Sequence, residues 1–299
     1  MSKNKACLGV IGGSGIYEID GVTNGKWVNV PTPFGMPSDD IFTGTLNGVD
    51  VAFLPRHGRN HTYSPTNVPY QANIYALKDI GVTDILSVSA CGSLRPDYKP
   101  GDFVVIDQFI DRTFSRQKTF FDRNCVAHVS LAKPVCNRLA GTALQALEDI
   151  GVRVHHGGTY LAMEGPQFST VAESLLYKDV WHCDVIGMTN MPEAKLAREA
   201  EICYATIAMI TDYDCWHPEH DNVEVSDVIA VLKSNATKAK DVVKKITSMI
   251  DAGRDQCPHG CDTALEYAII SNLDEVPQKE LDRLARLIAK NLERHRSRS

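Results

Sequence analysis

Two carboxylates, Asp212 and Asp214, stand two positions apart where the run Ile202-Cys203-Tyr204-Ala205-Thr206-Ile207-Ala208-Met209-Ile210 gives way to Thr211-Asp212-Tyr213-Asp214-Cys215-Trp216. The run reads as a buried strand, and alternation along an extended backbone points both acids the same way. Ligands of α/β proteins are received at the carboxyl ends of strands, so the pair invites a cationic, protonatable or amino-bearing group. Acids in such a place also serve as solvated turns or as caps for a following helix. Cys215 and Trp216 carry the apolar character past the pair, which argues for half-buried carboxylates with hydrogen-bond partners or raised pKa values.

Other segments offer the chemistry of an anion site. Gly12-Gly13-Ser14-Gly15 follows the first strand and can bring backbone amides and the Ser14 hydroxyl against an anion. It is not a dinucleotide fingerprint, because Glu18 stands where the third glycine belongs, and no lysine follows to make a Walker loop. Arg56-His57-Gly58-Arg59-Asn60-His61 follows a second strand, where Arg56 offers a planar fork of donors for phosphate and His57 can donate beside it. Ser89 and the Ala90 amide, in Ser89-Ala90-Cys91-Gly92-Ser93, end a third strand, and Thr189 supplies a further hydroxyl before a helix. Met188 offers a soft apolar surface for a ring or sugar, and Phe168-Ser169 an aromatic face next to a hydroxyl. Singly, Met188 and Phe168 read as core residues, the basic turn as solvated and the glycines as a tight turn. Converging on one sheet edge, they describe a pocket with an anion end and an aromatic, acid-bearing end.

The elements that must position these groups alternate between strand and helix, a mixed α/β order in a single domain. Strands are expected at Leu8 to Ile11, Val49 to Leu54, Asp84 to Ser89, Phe103 to Ile110, Thr159 to Glu164 and Asp184 to Met188. Helices are expected at Val68 to Ile80, Pro134 to Ile150, Val171 to Tyr177 and Pro192 to Glu201, with Gly81 and Gly151 as stops. From Ser226 the chain is helical to about Ile250, breaks at Cys257 to Cys261, and closes in a helix whose Leu281, Leu284, Leu287, Ile288 and Leu292 recur at helical spacing.

Composition narrows the function classes. The 299 residues are 43% hydrophobic, enough for a sizeable core, and a net charge of -6 gives no field to hold nucleic acid or an anionic membrane. No stretch reaches the roughly 18 to 20 apolar residues of a membrane span, and a cytoplasmic protein is expected. Nine scattered cysteines fit buried reduced thiols better than a disulfide framework. Cys257-Pro258-His259-Gly260-Cys261 stands apart as compact enough for a redox or metal site. Zinc there would need further ligands that no recognised spacing supplies; a disulfide between these two, or with other cysteines, outranks zinc but is not the expectation, and no metal is assigned.

Gly9 to Gly15, Arg56 to Arg59, Ala90 to Leu94, Glu164 to Ser169 and Thr211 to Trp216 together resemble the trimeric purine nucleoside phosphorylase family, from about residue 6 to about residue 250. The segment from about 251 is less clearly matched. The resemblance implies a central mixed β-sheet flanked by helices in a single domain over 1–299, and a homotrimer or dimer of trimers. It also implies a transferase that splits an N-glycosidic bond with inorganic phosphate, without cofactor or metal. The motifs are most similar to members that convert 5'-methylthioadenosine to adenine and 5-methylthioribose 1-phosphate, a step of purine and methionine salvage.

Position by position, the resemblance implies that Ser14, Arg56, His57, Ser89, Ala90 and Thr189 hold phosphate, that Met188 lies under the ribose, and that Phe168 and Ser169 face the base. Asp212 becomes the general acid at purine N7, and Asp214 the acceptor of an exocyclic amine, which favours a 6-amino over a 6-oxo purine. In the family the 6-oxopurine enzymes carry Asn where Asp212 stands. Val223, Val225, Val228 and Ile229 match positions that line an apolar end for the 5'-methylthio group, and His128 matches a histidine that reaches in from a neighbouring subunit. Alternatives left open are a phosphorylase preferring adenosine, 5'-methylthioinosine or 6-oxopurine nucleosides, a hydrolase, and a non-catalytic nucleoside sensor.

Overall fold

The computed structural model describes residues 4–13, 19–218, 225–250 and 253–297. Strand β1 (Asn4–Lys5) leads into β2 (Cys7–Gly12), β3 (Thr23–Val28), β4 (Ile41–Leu46) and β5 (Val49–Pro55). Helix α1 (Tyr70–Asp79) precedes β6 (Asp84–Ser93), β7 (Phe103–Val105) and β8 (Gln108–Arg112). Then come α2 (Asn137–Asp149), β9 (Val154–His156), β10 (Thr159–Met163), α3 (Val171–Leu175), β11 (Val185–Gly187), α4 (Asn190–Glu199) and β12 (Cys203–Asp212). Helix α5 (Val225–Met249), β13 (Gly253–Arg254) and α6 (Gln278–Arg296) complete the order.

Eleven strands form one mixed sheet, running β3-β4-β5-β2-β6-β11-β10-β8, with β12 also paired to β6 and β7 and β9 beyond β12. β1 and β13 pair separately. Period-two burial divides the core between the two faces. Along β12, Tyr204, Ala208 and Ile210 pack toward α1, α4 and α6, whereas Cys203, Ala205, Ile207 and Met209 pack toward α2 and α5. On α6, Leu284, Leu287 and Ile288 are buried against the first of these layers, so the C-terminal helix shares the core of the sheet.

Several elements differ from the sequence expectation, each for a local reason. The run 103–110 splits at Asp107, whose carboxylate takes the Gly158 amide at 3.0 Å, so β7 pairs with β12 and β8 with β10. Helix α2 starts at Asn137 rather than Pro134, because the Cys136 amide donates to the Tyr204 carbonyl at 2.8 Å and holds the preceding segment against β12. The edge hairpin of β4 and β5 turns on Asn47 and Gly48, both at positive φ, as a two-residue hairpin requires.

The differences that matter for the site concern β6 and β11. β6 does not stop at Ser89 but runs on to Ser93, pairing in parallel with β2 and β12 and, at its last residues, antiparallel with β11. Because β11 runs back along β6, the chain after Gly187 returns to Ser89 in the middle of that strand.

The register of β12 on β6 shifts between Ile210 and Asp212, which sets Asp212 opposite Gly92. A Cβ at Gly92 would lie 2.8 Å from Asp212 Oδ1, 3.1 Å from Ile186 Cγ2 and 3.3 Å from the Asp214 amide. Glycine is what lets the acid pair close on the sheet. Gly92→Ala is therefore expected to lower kcat/KM on the order of 10²-fold by displacing Asp212, with a smaller fall in thermal midpoint; unchanged steady-state kinetics would show that this approach does not position the acid.

Candidate active site

At the anion end, the Arg56 amide donates to Gly12 O at 3.0 Å, holding the basic turn against the glycine turn. The Arg56 guanidinium is buried and forks onto Glu193, with Nε and Nη2 at 2.9 and 3.2 Å from its two oxygens. Nη2 also reaches Ser87 Oγ at 2.6 Å and Ile11 O at 3.4 Å. Nη1 bonds Val88 O at 3.1 Å, and its other hydrogen meets no acceptor among the described residues. The structure thus makes Arg56 first a structural cation, with one donor left for an anion. Sequence reasoning missed Glu193, whose buried carboxylate also accepts from Ser87 Oγ and Tyr204 OH.

His57 Nδ1 lies 2.8 Å from Tyr63 O, which can only accept, so Nδ1 carries the hydrogen and Nε2 keeps its lone pair. Burial, and next the Arg56 charge, hold its pKa down to about 4. His57 is therefore a neutral imidazole near neutral pH, fit to accept a hydrogen bond rather than to add a second charge. Ser89 Oγ sits 3.4 Å from Thr189 Oγ1 and 3.3 Å from Tyr160 OH, a buried cluster of hydroxyls without carboxylates. Ala90 follows Ser89 on β6. Ser14 lies outside the described residues.

At the other end, Asp212 closes β12 while Asp214 lies past it in a left-handed turn, φ +52. Simple strand alternation therefore does not relate them. The Asp214 amide instead donates to Asp212 Oδ1 at 2.8 Å, and Thr211 Oγ1 donates to Asp212 Oδ2 at 2.7 Å. Burial raises the Asp212 pKa above the ordinary carboxylate value, opposed by those two hydrogen bonds. Burial also raises Asp214, with the Asp212 charge adding to it and the Ser174 and Ser169 hydroxyls opposing it. Cys215 Sγ donates to Ser169 O at 3.3 Å, which brings the 164–169 loop onto the acid turn. Trp216 Nε1 donates to Ser93 O at 2.7 Å, so the backbone after the acids is packed rather than wet.

Met188 lies over Gly165, where a Cβ would come 2.5 Å from its Sδ, while Phe168 is 43% exposed. These two loops share a cation that the sequence reading did not single out. Arg116 is buried, pairs with Glu164 at 3.1 Å, and donates to the carbonyls of Met163, Glu164, Met188 and Met191 and to Tyr70 OH. Glu164 in turn takes Thr66 Oγ1 and the Phe114 and Ser115 amides. Burial would raise the Glu164 pKa, but the Thr66 and amide hydrogen bonds and the Arg116 charge prevail and hold it down to about 2. No local spacing marks such a long-range cation; only the buried position of Arg116 reveals it.

Of the remaining expected residues, Val223 lies outside the described residues, and Val225, Val228 and Ile229 fall in the first turns of α5. His128 is exposed, and its amide donates to Ala268 O at 2.8 Å. No cysteine is bridged: Cys257 and Cys261 are both free thiols, and the structure sets Cys136 and Cys203 beside them, supplying the further ligands that spacing alone did not.

Residues 8–248 match the phosphorylase superfamily, and the chain belongs to that family. Its relatives are narrower than the superfamily. It is 62% identical to the S-methyl-5'-thioadenosine phosphorylase of Cereibacter sphaeroides over 267 residues, 89% of this chain and 92% of that one. It is 57% identical to the enzyme of the same name from Rhodospirillum rubrum, over 89% of this chain and 90% of the other. Among solved structures, a methylthioadenosine phosphorylase from an antarctic soil metagenomic library superposes with a TM-score of 0.89 at 48% identity, covering 95% of this chain and 99% of that one. A methylthioadenosine phosphorylase from Schistosoma mansoni in complex with adenine gives 0.82 at 34% identity, covering 89% and 99%.

Arg116→Met would leave Glu164 buried without its cation and remove the guanidinium donors from four carbonyls. It is expected to cost about 3–5 kcal/mol of stability, read from the shift in urea midpoint. A shift below about 1 kcal/mol would assign the two loops another support.

Proposed function

We propose that this protein cleaves 5'-methylthioadenosine with inorganic phosphate, giving adenine and 5-methylthioribose 1-phosphate. The observation that carries this reading is the pairing of two unlike ends on β6. Ser89, with Thr189 beside it, stands three residues, or about 10 Å, before Gly92 and the acid pair that closes on it, which leaves room for a ribose and a base between them. The names carried by the relatives at 62% and 57% identity support the same substrate.

In this reading phosphate is held by the Ser89 and Thr189 hydroxyls, the Ala90 amide, the remaining Arg56 donor, His57 and Ser14. A phosphate oxygen attacks C1' as the C1'–N9 bond breaks, its negative charge stabilising the oxocarbenium character of the ribose. The bonding electron pair passes into the purine, and Asp212 delivers a proton to N7. Burial raises the pKa of both acids, and the Asp212 charge raises Asp214 further; in this reading the bound purine sets the division of work, with Asp212 as donor to N7 and Asp214 as acceptor of the 6-amino group. Met188, Phe168 and Ser169 surround sugar and base, and the segment of Val223, Val225, Val228 and Ile229 covers the methylthio end. The chemistry needs no cofactor, because nucleophile, acid and electrostatic support come from phosphate and side chains.

The same reading includes a homotrimer, or a dimer of trimers, in which His128 enters a neighbouring pocket, and a cytoplasmic location. Val126 and Ile270 are exposed apolar residues joined by a backbone hydrogen bond near His128, and Phe114, Val171 and Val180 are exposed apolar residues as well. Among the described residues no helix is long and apolar enough to cross a membrane.

Two measurements test the proposal. Asp212→Asn is expected to lower kcat/KM by about 10²- to 10⁴-fold while substrate binding persists. The parent's kcat/KM should fall as pH rises through the elevated Asp212 pKa, because the protonated form is the donor. Turnover that needs no phosphate, or an Asn variant as fast as the parent, would overturn phosphorolysis with Asp212 as acid. Separately, Asp214→Asn presents an amide donor where the carboxylate stood. The ratio of rates for methylthioinosine over methylthioadenosine is expected to rise on the order of 10²-fold; a parent that already prefers inosine would sink the assignment of Asp214.

A further inference from the structure

Away from the pocket, four cysteines from three distant parts of the chain converge. Cys136 caps the start of α2, Cys203 opens β12, and Cys257 and Cys261 lie on the loop after β13. Their sulfur atoms all lie within 4.8 Å of one another, and all four residues are buried. The separation discriminates between the two things four thiols can do. A disulfide brings sulfurs to about 2.05 Å. Four thiolates at about 2.3 Å from one zinc form a tetrahedron with an edge of about 3.8 Å. Cys136 Sγ and Cys257 Sγ are 3.7 Å apart.

The backbone around the cluster is built to hold this arrangement. Gly260 takes φ +67 and its amide donates to Cys257 O at 3.0 Å, a tight turn that sends Cys261 back toward Cys257. The Cys257 amide is fixed by Asp262 Oδ2 at 2.8 Å, and the Cys136 amide by Tyr204 O at 2.8 Å next to Cys203. Arg138 hydrogen-bonds Cys203 while pairing with Asp84, placing a cation against sulfurs that would carry a net negative charge around a divalent ion.

We propose that Cys136, Cys203, Cys257 and Cys261 form a structural tetrathiolate site for a thiophilic divalent cation, zinc, which staples the C-terminal segment to the first residue of β12. Binding displaces the four thiol protons and changes no oxidation state. With four protein ligands the site is closed, so the ion takes no part in the reaction at the far end of β12. Its consequence runs through the C-terminal segment, whose Ala268 carbonyl and Ile269 bridge hold the backbone of Ala127 and His128.

The test begins with the unmodified protein, purified without chelator and analysed by elemental mass spectrometry. About one zinc per chain is expected, with zinc at background in the double variant Cys257→Ser/Cys261→Ser. Exchange of the wild-type protein into cobalt should give the strong d–d absorption of a tetrahedral site together with thiolate-to-cobalt charge transfer, and this readout stands even if the double variant does not fold. Removal of the ion should lower the thermal midpoint. The proposal is overturned by a chain with no metal and nine titratable thiols, by a cobalt spectrum of octahedral type, or by an intact mass lower by two hydrogens for each bridge formed within the cluster.

Discussion

A single buried ion pair organises the anion end of the molecule. Arg56 and Glu193 come from the end of β5 and from α4, and neither has water to lean on. Burying two charges is costly unless every donor and acceptor is met. Most of that requirement is met by drawing in the Ile11 carbonyl of β2, Ser87 and Val88 of β6 and Tyr204 of β12. Four strands and a helix are thereby registered on one guanidinium. Asn190 extends the same network to Ser87, Tyr204 and Thr206, with Thr189 immediately before it. The Asn190 amide nitrogen, one residue past Thr189, is thus held by three buried hydroxyls, which anchors the backbone beside the hydroxyls proposed to receive phosphate.

The sheet topology explains how the two ends of the pocket come to face each other. Most of the ladder near the site is parallel, which would leave all the loops at one edge. The short antiparallel contact of β11 with the end of β6 changes this, because it returns Met188 and Thr189 along β6 rather than past it. One strand then carries a hydroxyl at Ser89 and a bare backbone at Gly92. The acid turn settles on the bare backbone, and the proposed reaction places sugar and base between.

Much of this was legible in the sequence, and the gaps have physical causes. Strands buried on both faces, such as 7–12 and 203–212, announce themselves as continuous apolar runs, and the stripe of α6 is a plain helical period. β3 is exposed along almost its whole length and leaves no such trace. The motif residues at 56, 89, 189 and 212 were visible because their types are uncommon beside buried strands. Glu193, Arg116 and Tyr160 were not, since each looks like an ordinary helix, loop or strand residue until a partner far away in sequence buries it. The four cysteines show the same limit: spacing reveals the local pair, and only the fold adds Cys136 and Cys203.

Glu164 and the Asp212–Asp214 pair show two opposite responses of a carboxylate to burial. Glu164 lies beside Arg116 and receives two amides and a hydroxyl, so it stays ionised down to about pH 2 and serves as a fixed anchor. By linkage its hydrogen bonds stabilise the fold above the ordinary glutamate pKa, and that contribution is lost only as pH falls through about 2. Asp214 is buried and Asp212 half-buried, neither paired with a cation among the described residues, and burial moves their pKa values up instead. The sign of the stability contribution therefore reverses: it is present below the unfolded aspartate pKa and is lost as pH rises through the raised values. A protein gains nothing structurally from such a pair near neutrality. In the proposed reaction the raised pKa values favour the protonated acid from which a departing purine would take its proton.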